Sequence, residues 1–138
     1  MWTFLDSNIF LYASGTEHPL REPCREVLRQ AAAGQLDATT SSEVVQELLY
    51  VLTRRKCGNK GRTLAKLVLS LFPDILPVSG DDMQLAVDLL DRHQELPVRD
   101  AVHAAVMLNH RIPQIISADR HFDQVPEITR IDPTSALF

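Results

Sequence analysis

The chain has 138 residues, of which 45% are hydrophobic and 23% charged, and a net charge of -4. These figures fit a single globular domain over residues 1–138 with one core. They exclude a membrane-spanning helix, since no apolar run approaches ~20 residues, and a disulfide or zinc scaffold, since Cys24 and Cys57 are the only cysteines. Met1 is followed at once by Trp2-Thr3-Phe4 with no basic region, so a soluble, cytoplasmic protein is expected. The acidic balance speaks against an overall basic surface but leaves local basic patches open.

In chain order, residues 2–5 form a short apolar run, and residues 9–13 suit a short helix after the polar corner Asp6-Ser7-Asn8. A loop from Gly15 to Pro19 leads to a helix over about 20–33 that stops at Gly34. Leu36-Asp37-Ala38-Thr39 is strand-like. In Thr40-Ser41-Ser42-Glu43 a hydroxyl precedes a glutamate by three residues, as in a capping box, and Val45, Leu48, Leu49 and Leu52 then follow at helical spacing. Asn59–Leu71 repeats that spacing with Leu64, Leu67, Val68 and Leu71. Residues 75–78 are a candidate strand, and 81–92 a helix capped by Ser79 or Asp81. Pro97 precedes a helix over Val98–Leu108 whose Ala101, Ala104 and Ala105 permit close packing. Residues 114–117 and 127–131 are the last strand candidates. Trp2, Phe10 and Tyr12 are expected in the core or in a dimer interface.

Short strands alternating with helices predict an α/β fold, a parallel sheet with helices on both faces. Ligands in such sheets bind beyond the carboxyl ends of the strands. Asp6 ends the first apolar run and Asp119 lies just past a later one, so both carboxylates point to one crevice if their strands are central. Each has a simpler reading, since Asp, Ser and Asn are all common helix caps. Glu47 falls at the border of the apolar face of its helix, half-buried, which also suits a rim residue with its stem on apolar surface. Asp100 sits in the first turn of its helix, where the helix dipole favours a carboxylate. Four carboxylates converging in one cleft would raise one another's pKa unless a cation balanced them. Oxygen-rich sites suit Mg²⁺ or Mn²⁺, and one or two such ions would support hydrolysis of a phosphoester.

At this point the sequence resembles the PIN-domain ribonucleases, most of all the toxins of VapBC toxin–antitoxin systems. Four stretches carry the likeness: Phe4-Leu5-Asp6-Ser7-Asn8-Ile9, Val44-Val45-Gln46-Glu47-Leu48-Leu49, Arg99-Asp100-Ala101-Val102-His103-Ala104-Ala105 and Ser117-Ala118-Asp119-Arg120-His121-Phe122-Asp123. They occur in the family's order and cover essentially the whole chain. The resemblance implies a three-layer α/β/α sandwich with a central parallel sheet of about four to five strands. It further implies an endoribonuclease in which Asp6, Glu47, Asp100 and Asp119 hold Mg²⁺ or Mn²⁺. Asn8 and Ser117 would be polar supports and Asp123 a further acid. RNA as substrate, a small antitoxin as partner and a homodimer are implied as well.

Arg54 to Arg62 carries five basic residues in nine: Arg54, Arg55, Lys56, Lys60 and Arg62. A helix end explains part of this cluster; beside an acidic cleft it would also hold the phosphates flanking a scissile one. Of the histidines, His103 is expected on a helix surface and His121 as a solvated loop residue. Two alternatives stand beside the nuclease reading. A metal-dependent phosphatase of the haloacid dehalogenase type needs a second Asp two residues after the first, where Asn8 stands here. A PIN fold serving as a binding module with little or no catalysis would be expected to lose acids, and all four are present.

Overall fold

A computed structural model describes residues 1–135. Its frame is a parallel sheet in which the central strand β1 (Thr3–Leu5) lies between β2 (Ala38–Thr39) and β3 (Gln114–Ile116), and β4 (Thr129–Ile131) extends the far edge. Phe4, Leu5, Ile115 and Ile116 are fully buried, as expected of parallel strands covered on both faces. The register sets Leu5 opposite Ile116. Asp6 and Ser117, the next residue of each strand, therefore emerge side by side.

Six helices pack round this sheet among the described residues: α1 (Ser7–Ser14), α2 (Arg21–Ala32), α3 (Ser42–Arg54), α4 (Gly58–Leu71), α5 (Gly80–Arg92) and α6 (Val98–Asn109). The result is the three-layer α/β/α sandwich expected, with four strands. Helix α6 is its most buried helix, closed to solvent from Asp100 to Met107, and it packs against α5 and α3. Its alanines at 101, 104 and 105 are fully buried, so the backbones approach closely.

Several local features differ from expectation. Helix α1 starts at Ser7, because the Asp6 carboxylate caps it by accepting from Ser7 N at 2.8 Å. The expected capping box over 40–43 does not form. Ser41 is the N-cap and accepts from Val44 N, while Thr40 turns inward to donate to Leu5 O at 2.9 Å. A capping box instead opens α5, where Ser79 and Asp82 exchange bonds. Residues 75–78 form no strand beyond one parallel bridge between Leu76 and Ser41; Pro77 has no N–H to continue a ladder. On α4, Leu64 and Val68 are buried but Leu67 is exposed, so the apolar face is narrower than its spacing suggests. Phe10 joins the core, Tyr12 is half-buried with its ring against His18, and Trp2 stays exposed.

Candidate active site

The site begins at the polar corner after β1. Asp6 is buried, and each of its oxygens is held: Oδ1 by Ser7 N, and Oδ2 by Ser117 Oγ at 2.6 Å and Asn8 Nδ2 at 3.2 Å. Asn8 also donates to Ser117 Oγ at 3.1 Å and accepts from Ala118 N at 3.3 Å. Ser117 Oγ in turn accepts from Asp119 N at 2.9 Å. Asn8 and Ser117 thus tie the Asp6 corner to the Asp119 loop.

Glu47 projects from α3 towards the same corner, with its side chain 14% exposed. Its Oε2 accepts from Ser7 Oγ at 2.8 Å and lies 3.4 Å from Arg99 Nη1, while Oε1 lies 2.9 Å from His103 Nε2. His103 is a correction: it is fully buried, not on the helix surface. Position 103 has no solvent side because α6 is enclosed along this stretch. Its Nε2 also stands 3.8 Å from Asp6 Oδ1, and its ring lies 5.7 Å from that of Phe4. The i, i+3 spacing places His103 on the Asp100 side of α6, a signal for its place beside the acids but not for its burial.

Asp100 and Asp119 complete the arrangement. Their carboxyls are neighbours around His121, whose Nδ1 lies 2.7 Å from Asp119 Oδ1 and 3.3 Å from Asp100 Oδ2. His121 is exposed, as expected, yet it is engaged with both acids rather than free in solvent. Glu47, Arg99, Asp100 and Asp119 line one open pocket of about 380 Å³ together with Pro97 and Val98. The structure therefore brings Glu47, Asp100 and Asp119 onto one pocket, with the buried Asp6 grouped beside Glu47 and His103. Asp123 lies outside this group: it pairs with Arg130 Nε at 3.0 Å, and Arg130 Nη1 donates to Ser117 O. Of the basic candidates, Arg54 lies against the Tyr50 ring, Arg62 bonds Asn59, and Lys60 is exposed. Arg55 borders a cavity that Asn8 also lines.

The electrostatics differ sharply among the four acids. Burial, then the charges of Asp6 and Asp119, push the Asp100 carboxyl up to about 7. Burial also raises Asp6 above the ordinary carboxylate value, against the pull of His103 and Ser117. Burial opposes the charge on Glu47 too, but His103, Ser7 and Arg99 outweigh it and hold Glu47 below its ordinary value. His103 is raised, because the carboxylates of Glu47, Asp6 and Asp100 overcome the desolvation of its cation. A carboxyl raised by burial and by its acidic neighbours marks a place short of positive charge. Three oxygen-bearing acids on an open pocket fit a hard divalent cation, and the described residues offer two candidate ligand sets, Asp6/Glu47/His103 and Asp100/Asp119/His121.

An acidic pocket beyond the carboxyl ends of a parallel sheet, with side chains that could hold a cation, defines this chain as an α/β protein with a candidate metal site. The sequence profile of the PIN domain matches residues 3–128, and the chain belongs to that family. It is similar to the ribonuclease VapC13 of Mycobacterium tuberculosis (strain ATCC 25618 / H37Rv), 34% identical over 127 residues that span 92% of this chain and 97% of that protein. Among solved structures it resembles the sarcin-ricin loop cleaving toxin VapC20 of M. tuberculosis, with a TM-score of 0.74 and 22% identity over 88% of this chain and 93% of that one. A toxin–antitoxin complex from Klebsiella pneumoniae matches with a TM-score of 0.67 and 21% identity over 95% of this chain and 97% of its own. At these identities the two structures speak for the fold alone.

Proposed function

We infer that the chain is a metal-dependent endoribonuclease that hydrolyses RNA phosphodiester bonds at the Glu47/Asp100/Asp119 pocket, with Mg²⁺ or Mn²⁺ held by Asp6, Glu47, Asp100 and Asp119. The observation that carries this reading is the convergence of Glu47, Asp100 and Asp119 on one open pocket beside the buried Asp6, in a chain of the PIN family. When bound, a divalent cation supplies charge neutralisation at the scissile phosphate and activation of water. The chain's own residues prepare the place for it. Asp6 is locked by donors from Ser7, Asn8 and Ser117, so its orientation is fixed before any ion arrives. Asp100 and Asp119 receive fewer protein donors, chiefly from His121, and would be the ligands left most open to an ion. Arg99 stands at the pocket rim, where its guanidinium suits a phosphate oxygen.

The relatives' naming as ribonucleases supports RNA as the substrate, and the toxin–antitoxin complex among the structural neighbours supports a small antitoxin partner. A homodimer, a cytoplasmic setting and a single domain over residues 1–138 belong to the same proposal. Among the described residues no helix is long and apolar enough to cross a membrane. The test is cleavage of structured and single-stranded RNAs by the purified chain. Activity should need Mg²⁺ or Mn²⁺, vanish with chelator and fall at least about a hundredfold in Asp6→Asn with the fold intact, as expected for losing a preorganised charge. RNA binding without metal-dependent cleavage would favour the binding-module alternative.

A further inference from the structure

Tyr50 is the aromatic side chain that this fold leaves outside its core beside the acidic pocket. It sits on α3 one turn beyond Glu47 and is 46% exposed, whereas Phe4, Phe10 and Phe122 are fully buried. Two guanidinium groups lie over its ring, and a base stacking there would take the place of one of them. Arg54, from the next turn of α3, lies 5.8 Å from the ring centroid, and Arg99, from the first turn of α6, lies 5.5 Å from it. Arg99 belongs to both places at once, because its Nη1 also lies 3.4 Å from Glu47 Oε2 and it lines the pocket. The ring and the acids are thus joined through one cation rather than being separate surface features.

We propose that Tyr50, Arg54 and Arg99 form a nucleotide-stacking subsite, in which the Tyr50 ring takes a base of single-stranded RNA next to the scissile phosphate and the two arginines take its flanking phosphates. This rests on the nuclease reading of the neighbouring pocket. An exposed ring between two cations matches the pairing of aromatic platform and positive groove by which single strands are held, and stacking of this kind tolerates any base. Arg99 is the member shared by both places, since its guanidinium pairs with Glu47 and lines the pocket where a strand phosphate would lie. The subsite therefore confers affinity for unpaired RNA and sets the register of the strand over Asp100 and Asp119.

The test uses the full chain in chelator, where nothing is cleaved, with single-stranded RNA oligonucleotides carrying 2-aminopurine at successive positions. One position should show quenched fluorescence on binding. Tyr50→Ala should abolish that quenching and weaken binding roughly tenfold or more, as measured for lost base stacking, while Tyr50→Phe retains both. Arg54→Gln should weaken binding and flatten its salt dependence. Unchanged binding and quenching in Tyr50→Ala would overturn the proposal while leaving RNA cleavage by the wild type untouched. A Tyr50→Ala chain that binds RNA normally but sediments at a lower mass would overturn it too, assigning the ring to contact with a second copy. Wild-type chain that neither binds nor cleaves any RNA would remove the nuclease reading itself.

Discussion

Burial of Asp100 among the charges of Asp6 and Asp119 makes the stability of the metal-free protein fall as pH rises, and Asp100→Asn should remove its share of that fall. The carboxyl titrates near 3.8 when unperturbed and about 7 in the fold, so the folded chain binds this proton more tightly than the unfolded one. The cost of ionising it begins near pH 4, grows through neutrality and is complete above pH 7. At ~1.36 kcal/mol per unit it amounts to about 4 kcal/mol at pH 8, of which about 3 kcal/mol develops between pH 5 and 8. Asp6 and His103 act in the same direction, since both are raised: the stability His103 contributes is present below its unfolded value and lost as pH climbs through the folded one. Glu47 acts oppositely, because a lowered carboxyl contributes above its unfolded value and loses that contribution in acid. Asparagine keeps the shape and removes the charge. Thermal melts in chelator at pH 5 and pH 8 should show Asp100→Asn gaining about 14 °C on the wild type at pH 8 and about a third of that at pH 5. Adding Mn²⁺ at pH 8 should raise the wild type by the linkage expected of a bound ligand, about 2.7 kcal/mol at a hundredfold excess over the dissociation constant, and raise the variant less. Equal melting differences between the two pH values for wild type and variant would refute this account of Asp100.

Two further outcomes follow from the same geometry. His103→Leu leaves the buried Glu47 Oε1 without its 2.9 Å partner and should cost about 1–3 kcal/mol in urea unfolding, whereas His103→Gln, which keeps a donor, should cost less. The difference between those variants should shrink in a Glu47→Gln background; if it persists, His103 acts through packing alone. For the basic segment, neutralising Arg55, Lys60 and Arg62 together should reduce the salt slope of single-strand RNA binding by about 0.7 for each phosphate that these cations neutralise. An unchanged slope would leave those residues as a solvated helix end.

What the sequence disclosed and what it withheld divide along a physical line. Strand ends and helix starts depend on neighbours in the chain, so Asp6, Asp100 and Asp119 could be placed at corners and first turns from spacing alone. Glu47 could be placed at the border of an apolar face for the same reason. The fate of His103 depends on what covers α6 from the other side, and that is decided by α5, α3 and β1, elements far away in sequence. A histidine amid alanines and valines at helical spacing is equally consistent with a surface position and with a buried one. Residues 75–78 show the converse case, in which an apolar run with strand composition finds only one bridge because its proline interrupts the ladder. The acids also looked equivalent in sequence, yet they are not equivalent in the fold. Register fixes this: with Leu5 opposite Ile116, Asp6 falls within 2.6 Å of Ser117 Oγ and takes its donors from that corner, and Glu47 takes His103 and Ser7. Asp100 and Asp119 have left to them little besides His121 and each other. The inner pair is therefore fixed by protein donors and the outer pair is left the more open of the two, the half that a cation would most relieve.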